Sequence, residues 1–166
     1  LFSSQRASGG LNPLFRRLPE RKTAGYVRTF RADGTNLQQI PLFWQEWIRD
    51  GLWRNLPSPR YPGESVGIVF PTETTEFEYL IGYEVDPSES ERTGITYRTL
   101  PPGLFACFTV IGPYSESVQK TWNYLYTRWL PASGYRHDSR EDIELYLERQ
   151  GEPLTELMSP VRPIAP

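Results

Sequence analysis

Glu144 and Tyr146 stand two residues apart in the stretch Glu141 to Glu148, EDIELYLE, and they are the residues of this chain most suited to chemistry. Ile143, Leu145 and Leu147 alternate with Asp142, Glu144, Tyr146 and Glu148, the period-two pattern of a half-buried β-strand, so carboxylate and phenol share one face. On a wet face the pair is ordinary solvated surface. In an apolar groove it could meet a cation, or act as a general base beside a phenolic donor. The elements around the strand decide between these readings.

Other chemistries have little material. Cys107, in LFACF, is the single cysteine, so no intrachain disulfide forms, a reducing compartment fits, and the residue reads as a small core side chain. His137 is also single and lies in the polar loop GYRHDSRED. One His and one Cys cannot build a typical structural zinc site, so neither metal nor cofactor is expected. The formal net charge of -2 gives no electrostatic case for direct nucleic-acid binding. No apolar run reaches membrane-spanning length and no signal-peptide pattern is present, so the expectation is a soluble, cytoplasmic protein with no membrane partner. Six basic residues between Arg16 and Arg31, and eight acids from Glu64 to Glu91, read as solvated surface. Aromatic content of 14%, with 5 Trp and 10 Tyr, suits both a core and a site for flat apolar ligands.

The elements that would position Glu144 come from an internal repeat. Displaced by 82 positions, RLPERKTAGY (Arg17 to Tyr26) lies on TLPPGLFACF (Thr99 to Phe108), and Trp44, Trp47 and Ile48 fall on Tyr126, Trp129 and Leu130. With five residues then dropped, ESVGIVF (Glu64 to Phe70) lies on EDIELYL (Glu141 to Leu147), and Gly67 falls on Glu144. Each half reads as strand, helix, strand, strand. TAGYVRTF leads to a helix with Pro41 in its first turn and a stop at Gly51, followed by SVGIVF and FEYLIGYEV. FACFTVIG leads to a helix capped by Ser115 and ended by Pro131, with Trp122, Leu125, Tyr126, Trp129 and Leu130 as one apolar stripe; DIELYLE and LTELMSPV follow.

The expected architecture is therefore an α+β fold: a tandem βαββ duplication, an antiparallel sheet carrying two main helices, pseudo-twofold symmetric, with a groove at the axis. Residues 1–13, containing SSQRASGG, read as a flexible lead-in or linker, and residues 14–166 as one domain. The first residue is Leu, which suggests a chain cut from something longer.

The segments LPERKTAGY, IPLFWQEW, GIVF, YLIGYEV, LPPGLFACFTVIGPY, LYTRWLPASG and DIELY resemble the GyrI-like small-molecule-binding domain family, over roughly Leu14 to Ile164. That family includes effector-binding domains of multidrug-responsive bacterial transcription activators, and the resemblance implies such a role, with a DNA-binding domain fused in a longer native chain as the partner. It also implies that Glu144 sits in an aromatic-lined pocket and meets lipophilic cations. Trp44, Tyr126 and Tyr146 then look like pocket walls, with Tyr83, Phe43 and Trp47 as further candidates, while Trp122 and Trp129 are assigned to the core. A carboxylate in such a groove is costly, so its pKa should rise and an arriving cation relieve the cost. Gly67 would leave room where Glu144 supplies charge. The family also implies two alternatives: hydrolysis of reactive small molecules by Glu144 and tyrosines, and protein interaction, as in a gyrase inhibitor, through the acidic Glu73 to Glu91 surface. The sequence supplies no nucleophile or metal that forces the enzymatic reading.

Overall fold

The computed structural model describes residues 11–111, 114–149 and 151–165; residues 1–10 of the expected lead-in lie outside them. The first half runs β1 (Leu14–Leu18), β2 (Arg21–Arg31), α1 (Asn36–Arg49), β3 (Ser65–Phe70) and β4 (Glu76–Val85). The second runs β5 (Thr96–Leu100), β6 (Gly103–Ile111), α2 (Tyr114–Tyr124), β7 (Tyr135–His137), β8 (Asp142–Arg149) and β9 (Glu152–Pro163). The repeat holds at the level of elements: β1 and β5 share the larger offset with β2 and β6, and β3 and β4 share the smaller one with β8 and β9.

Every pairing is antiparallel, in the order β1-β6-β9-β8-β3-β4-β2-β5, with β7 beside β9. At the centre of the strand order β3 of the first half pairs with β8 of the second, and there Gly67 lies directly opposite Glu144. The residues that the repeat equates thus face each other across the pseudo-twofold axis.

Three apolar clusters follow from strand alternation. Ala24, Phe30, Tyr79 and Ile81 pack against Phe43 and Trp47 of α1. Ala106, Phe108 and Leu157 pack with Val118 of α2 and Leu125 beyond it. The opposite face of the sheet gathers Ile68, Leu80, Phe105, Cys107, Ile143 and Met158 from both halves. Burial pushes the Cys107 thiol up to about 11, in keeping with a core role. The links β1 to β2 and β5 to β6 are Pro19-Glu20 and Pro101-Pro102, yet β1 pairs with β6 and β5 with β2. Two-residue links thus join strands at opposite ends of the strand order, so the sheet must roll around this shared cluster.

Several local expectations are corrected. β1, β5 and β7 are strands beyond the βαββ unit; their five, five and three residues carry little alternation and gain order by pairing along longer neighbours. α1 starts at Asn36, so Pro41 is inside the helix, tolerated because the surrounding apolar face packs on the sheet. Gly51 does end the helix region, in the left-handed conformation at φ 64°. α2 starts at Tyr114, which puts Ser115 in its first turn instead of at the cap. A π turn, Leu125–Trp129, follows α2, and a last turn, Leu130–Ala132, contains Pro131. The wider turn changes the phase of the helix face, so the expected stripe breaks: Leu125 is fully buried while Tyr126 is 40% exposed.

The two charge runs answer one another in part. Basic β2 lies against acidic β4, with ion pairs Arg31–Glu76 (3.9 Å) and Lys22–Glu91 (3.8 Å) at its ends. Among the described residues no helix is long and apolar enough to cross a membrane.

Candidate ligand pocket at the symmetry axis

Glu144 projects from β8 toward the helix side of the sheet and is only 7% exposed. Its Oε1 accepts hydrogen bonds from the hydroxyls of Tyr79 (2.5 Å) and Tyr146 (3.2 Å), and its Oε2 accepts from the Trp122 indole N–H (2.8 Å). The Trp44 indole N–H in turn donates to the Tyr79 oxygen at 2.9 Å. One carboxylate is therefore held by groups from β4, β8 and α2, and through Tyr79 it is linked to α1.

All three direct donors are neutral. Among the described residues no Lys or Arg lies within ion-pair distance of Glu144. Burial pushes its pKa above the ordinary carboxylate value; the bonds from Tyr79, Trp122 and Tyr146 oppose the rise, and the Asp142 charge adds to it. Burial and the Glu144 charge also push the Tyr79 phenol well above its usual range, so it stays protonated and remains a donor.

Gly67 makes this arrangement possible. A Cβ there would stand 2.0 Å from the Tyr79 hydroxyl oxygen and 2.8 Å from Glu144 Oε1. The absent side chain is the space into which the Tyr79–Glu144 hydrogen bond fits.

Above this floor the two helices leave a cavity of about 450 Å³. Ile40, Trp44 and Trp47 line it from α1, and Val118 and Trp122 from α2. The Trp44 and Tyr146 rings meet edge to face, with centroids 4.7 Å apart. Flat apolar walls around one anion can hold a flat apolar cation: the rings remove its surface from water and offer their negative faces to its charge. Among the described residues no three His, Cys, Asp or Glu side chains converge to hold a metal ion.

Of the expected ligand residues, Glu144, Tyr146, Trp44 and Trp47 line this cavity, and Phe43, Tyr83 and Tyr126 do not. Phe43 lies in the core beside Phe30, under the Arg28 guanidinium. Tyr83 is buried and donates to the Pro57 carbonyl at 2.6 Å. Tyr126 stacks beside Trp122, with centroids 6.0 Å apart, and donates to Asp142, which also bonds His137 and Ser159. Burial and the Asp142 charge push its phenol far above the usual value. Trp122, expected in the core, is instead a cavity wall and a direct partner of Glu144. The repeat matched Trp44 with Tyr126, but the indole one helical turn earlier, Trp122, is the residue that lines the pocket. Tyr79 was not singled out in the sequence at all; the glycine opposite Glu144 was the available hint that a side chain from a neighbouring strand must fill that space.

The Trp122 indole bond can be tested without losing the wall. Trp122→Phe keeps an aromatic surface and removes one donor to the carboxylate, a hydrogen bond to a charged group worth about 1.5 to 3 kcal/mol. The Glu144 pKa should climb further in the variant, and carboxyl-carbon NMR titration should show it. A titration identical to that of the original chain would mean that Trp122 does not stabilise the anion.

A duplicated α+β domain whose symmetry axis holds one neutral-bonded carboxylate beneath aromatic walls is the architecture of a small-molecule-binding domain. The chain belongs to the GyrI-like small molecule binding domain family, whose sequence profile matches residues 12–162. A curated relative, the DNA gyrase inhibitor of Edwardsiella piscicida, is 39% identical over 79 residues, which are 46% of this chain and 50% of that protein. The match thus spans half the length of that relative. Among solved structures, SAV2435 bound to tetraphenylphosphonium superposes with a TM-score of 0.79 at 18% identity, covering 92% of this chain and 94% of that one. EcmrR, in a complex with DNA, superposes at 0.59 and 18% identity, covering 91% of this chain and 57% of that one.

Proposed function

We propose that the domain captures lipophilic aromatic cations in this pocket and that occupancy is the signal it passes on, as the effector-binding part of a transcription regulator or drug sensor. The observation that carries this reading is the state of Glu144: a buried carboxylate that, among the described residues, accepts hydrogen bonds from neutral Tyr79, Tyr146 and Trp122 and has no Lys or Arg within ion-pair distance. Tyrosine and tryptophan faces add cation–π attraction of about 0.5 to 2 kcal/mol each. The ligand bound by SAV2435 is a cation of this kind, and a DNA-bound regulator shares the fold; both support the reading.

The test uses tetraphenylphosphonium, whose charge is permanent, in calorimetry across pH. The folded state holds Glu144 above its ordinary pKa of 4.5, so the fold favours the protonated acid. The associated stability is present below that ordinary value and is lost as pH rises through the folded pKa. A permanent cation requires the ionised form, so affinity should rise through the same window, by up to about tenfold per pH unit, and then level off. Binding at its lower end should release a proton. The slope should vanish in Glu144→Gln. An affinity independent of pH in the original chain would refute charge pairing at Glu144.

The identity of the curated relative favours a second use, inhibition by protein contact. Capture of gyrase by the isolated chain with no small molecule present would support that use.

A further inference from the structure

A second cavity, of about 140 Å³, opens on the face of the sheet away from the helices. Val66, Ile143 and Leu145, whose strand neighbours Gly67 and Glu144 belong to the first pocket, form part of its apolar base. Five charged side chains line it: Arg16, Arg21, Glu64, Glu84 and Glu156.

Three of the five already have partners. Arg16 pairs with Glu156 at 3.4 Å, and Glu84 with Arg60 at 4.0 Å. Arg21 and Glu64 remain, opposite in charge, yet among the described residues neither has an ion-pair partner, and they do not pair with each other. Nε and Nη2 of Arg21 are shielded from solvent and have no hydrogen-bond partner. The guanidinium rests against the Phe105 ring, 5.6 Å from its centroid. Burial draws it below its ordinary pKa, and burial together with Glu84 and Glu156 raises that of Glu64. Leaving charged groups half-buried and unmatched is costly for a fold, and a site that must receive opposite charges from outside is one reason to retain them.

The charges restrict the occupant. A simple anion drawn to Arg21 would meet three carboxylates, and a simple cation drawn to Glu64 would meet two guanidinium groups. A molecule carrying both charges satisfies both residues. A cavity of about 150 Å³ accommodates a molecule of benzene size, so this one has room for roughly six non-hydrogen atoms. We propose that the second cavity binds a small zwitterion, an α- or ω-amino acid whose carboxylate pairs with Arg21 and whose ammonium group pairs with Glu64. The site is independent of the pocket around Glu144 and lies on the other side of the sheet.

The probes are glycine, β-alanine and γ-aminobutyrate, with acetate and methylammonium as single-charge controls. The readout is the Arg21 side-chain Nε–H resonance, assigned by its disappearance in Arg21→Gln. At least one amino acid should shift it saturably at concentrations up to about 50 mM, in the range where weak sites of millimolar Kd fill. The controls should not. Binding, followed in the variants by backbone amide shifts around the cavity, should weaken at least tenfold in both Arg21→Gln and Glu64→Gln. Arg21→Met should melt no lower than the original chain, because it removes an unmatched charge. The proposal is overturned if acetate or methylammonium alone reproduces the shift, if no amino acid binds, or if Arg21→Met lowers the melting temperature, which would make Arg21 a structural residue.

Discussion

Glu144→Gln should weaken tetraphenylphosphonium binding by about 2 to 4 kcal/mol, or roughly 30- to 1,000-fold, while a neutral aromatic ligand of similar shape loses far less. The substitution keeps the volume of the side chain and one acceptor oxygen, which Tyr79 and Tyr146 can still reach. Its amide nitrogen then faces the Trp122 N–H, donor against donor. That conflict costs some stability, but removal of a buried anion returns some, so the ligand-free variant should melt within a few degrees of the original chain. Calorimetry with the cation and the neutral analogue, alongside a thermal melt, separates these effects. Equal loss for both ligands would show that Glu144 shapes the pocket without contributing charge.

Gly67→Ala should be damaging to fold and pocket together. Its Cβ would meet the Tyr79 hydroxyl at 2.0 Å and the Glu144 carboxylate at 2.8 Å, and Tyr79 is nearly fully buried, so its ring has nowhere to retreat. Overpacking typically costs about 1 to 3 kcal/mol. Loss of the Tyr79–Glu144 bond adds a comparable amount. A net destabilisation of about 2 to 6 kcal/mol corresponds to roughly 4 to 24 °C for a chain of this size. Cation binding should fail in the same variant, because the carboxylate is displaced from beneath the rings. A Gly67→Ala protein with unchanged melting and binding would show that Tyr79 and Glu144 do not need the space that the glycine leaves.

These two residues also show how much was legible beforehand. The repeat places Gly67 and Glu144 at equivalent positions, and the antiparallel β3–β8 register of the folded sheet then sets them opposite one another at the axis. Trp44, Trp47, Glu144 and Tyr146 were carried over from the family resemblance and line the cavity. Tyr126 was selected by the same logic and does not. Its hydroxyl bonds Asp142, two residues before Glu144 on β8, so its ring lies beside Trp122 and outside the cavity. Trp122 was consigned to the core because an aromatic at helical spacing has no local mark of the carboxylate it will meet.

By itself the sequence determined the βαββ order of the longer elements, the duplication, the two helices and the face of β8 that carries Glu144, because periodicity and self-similarity are properties of neighbours along the chain. Tertiary structure alone decided that Tyr79 and Trp122 hold the carboxylate, that the sheet rolls around a shared cluster, and that Arg21 and Glu64 line one cavity. Tyr79 lies 65 residues from Glu144 in the chain and Trp122 lies 22 away. Contacts over such separations depend on strand order, register and helix phase together, and no short stretch of residues encodes all three.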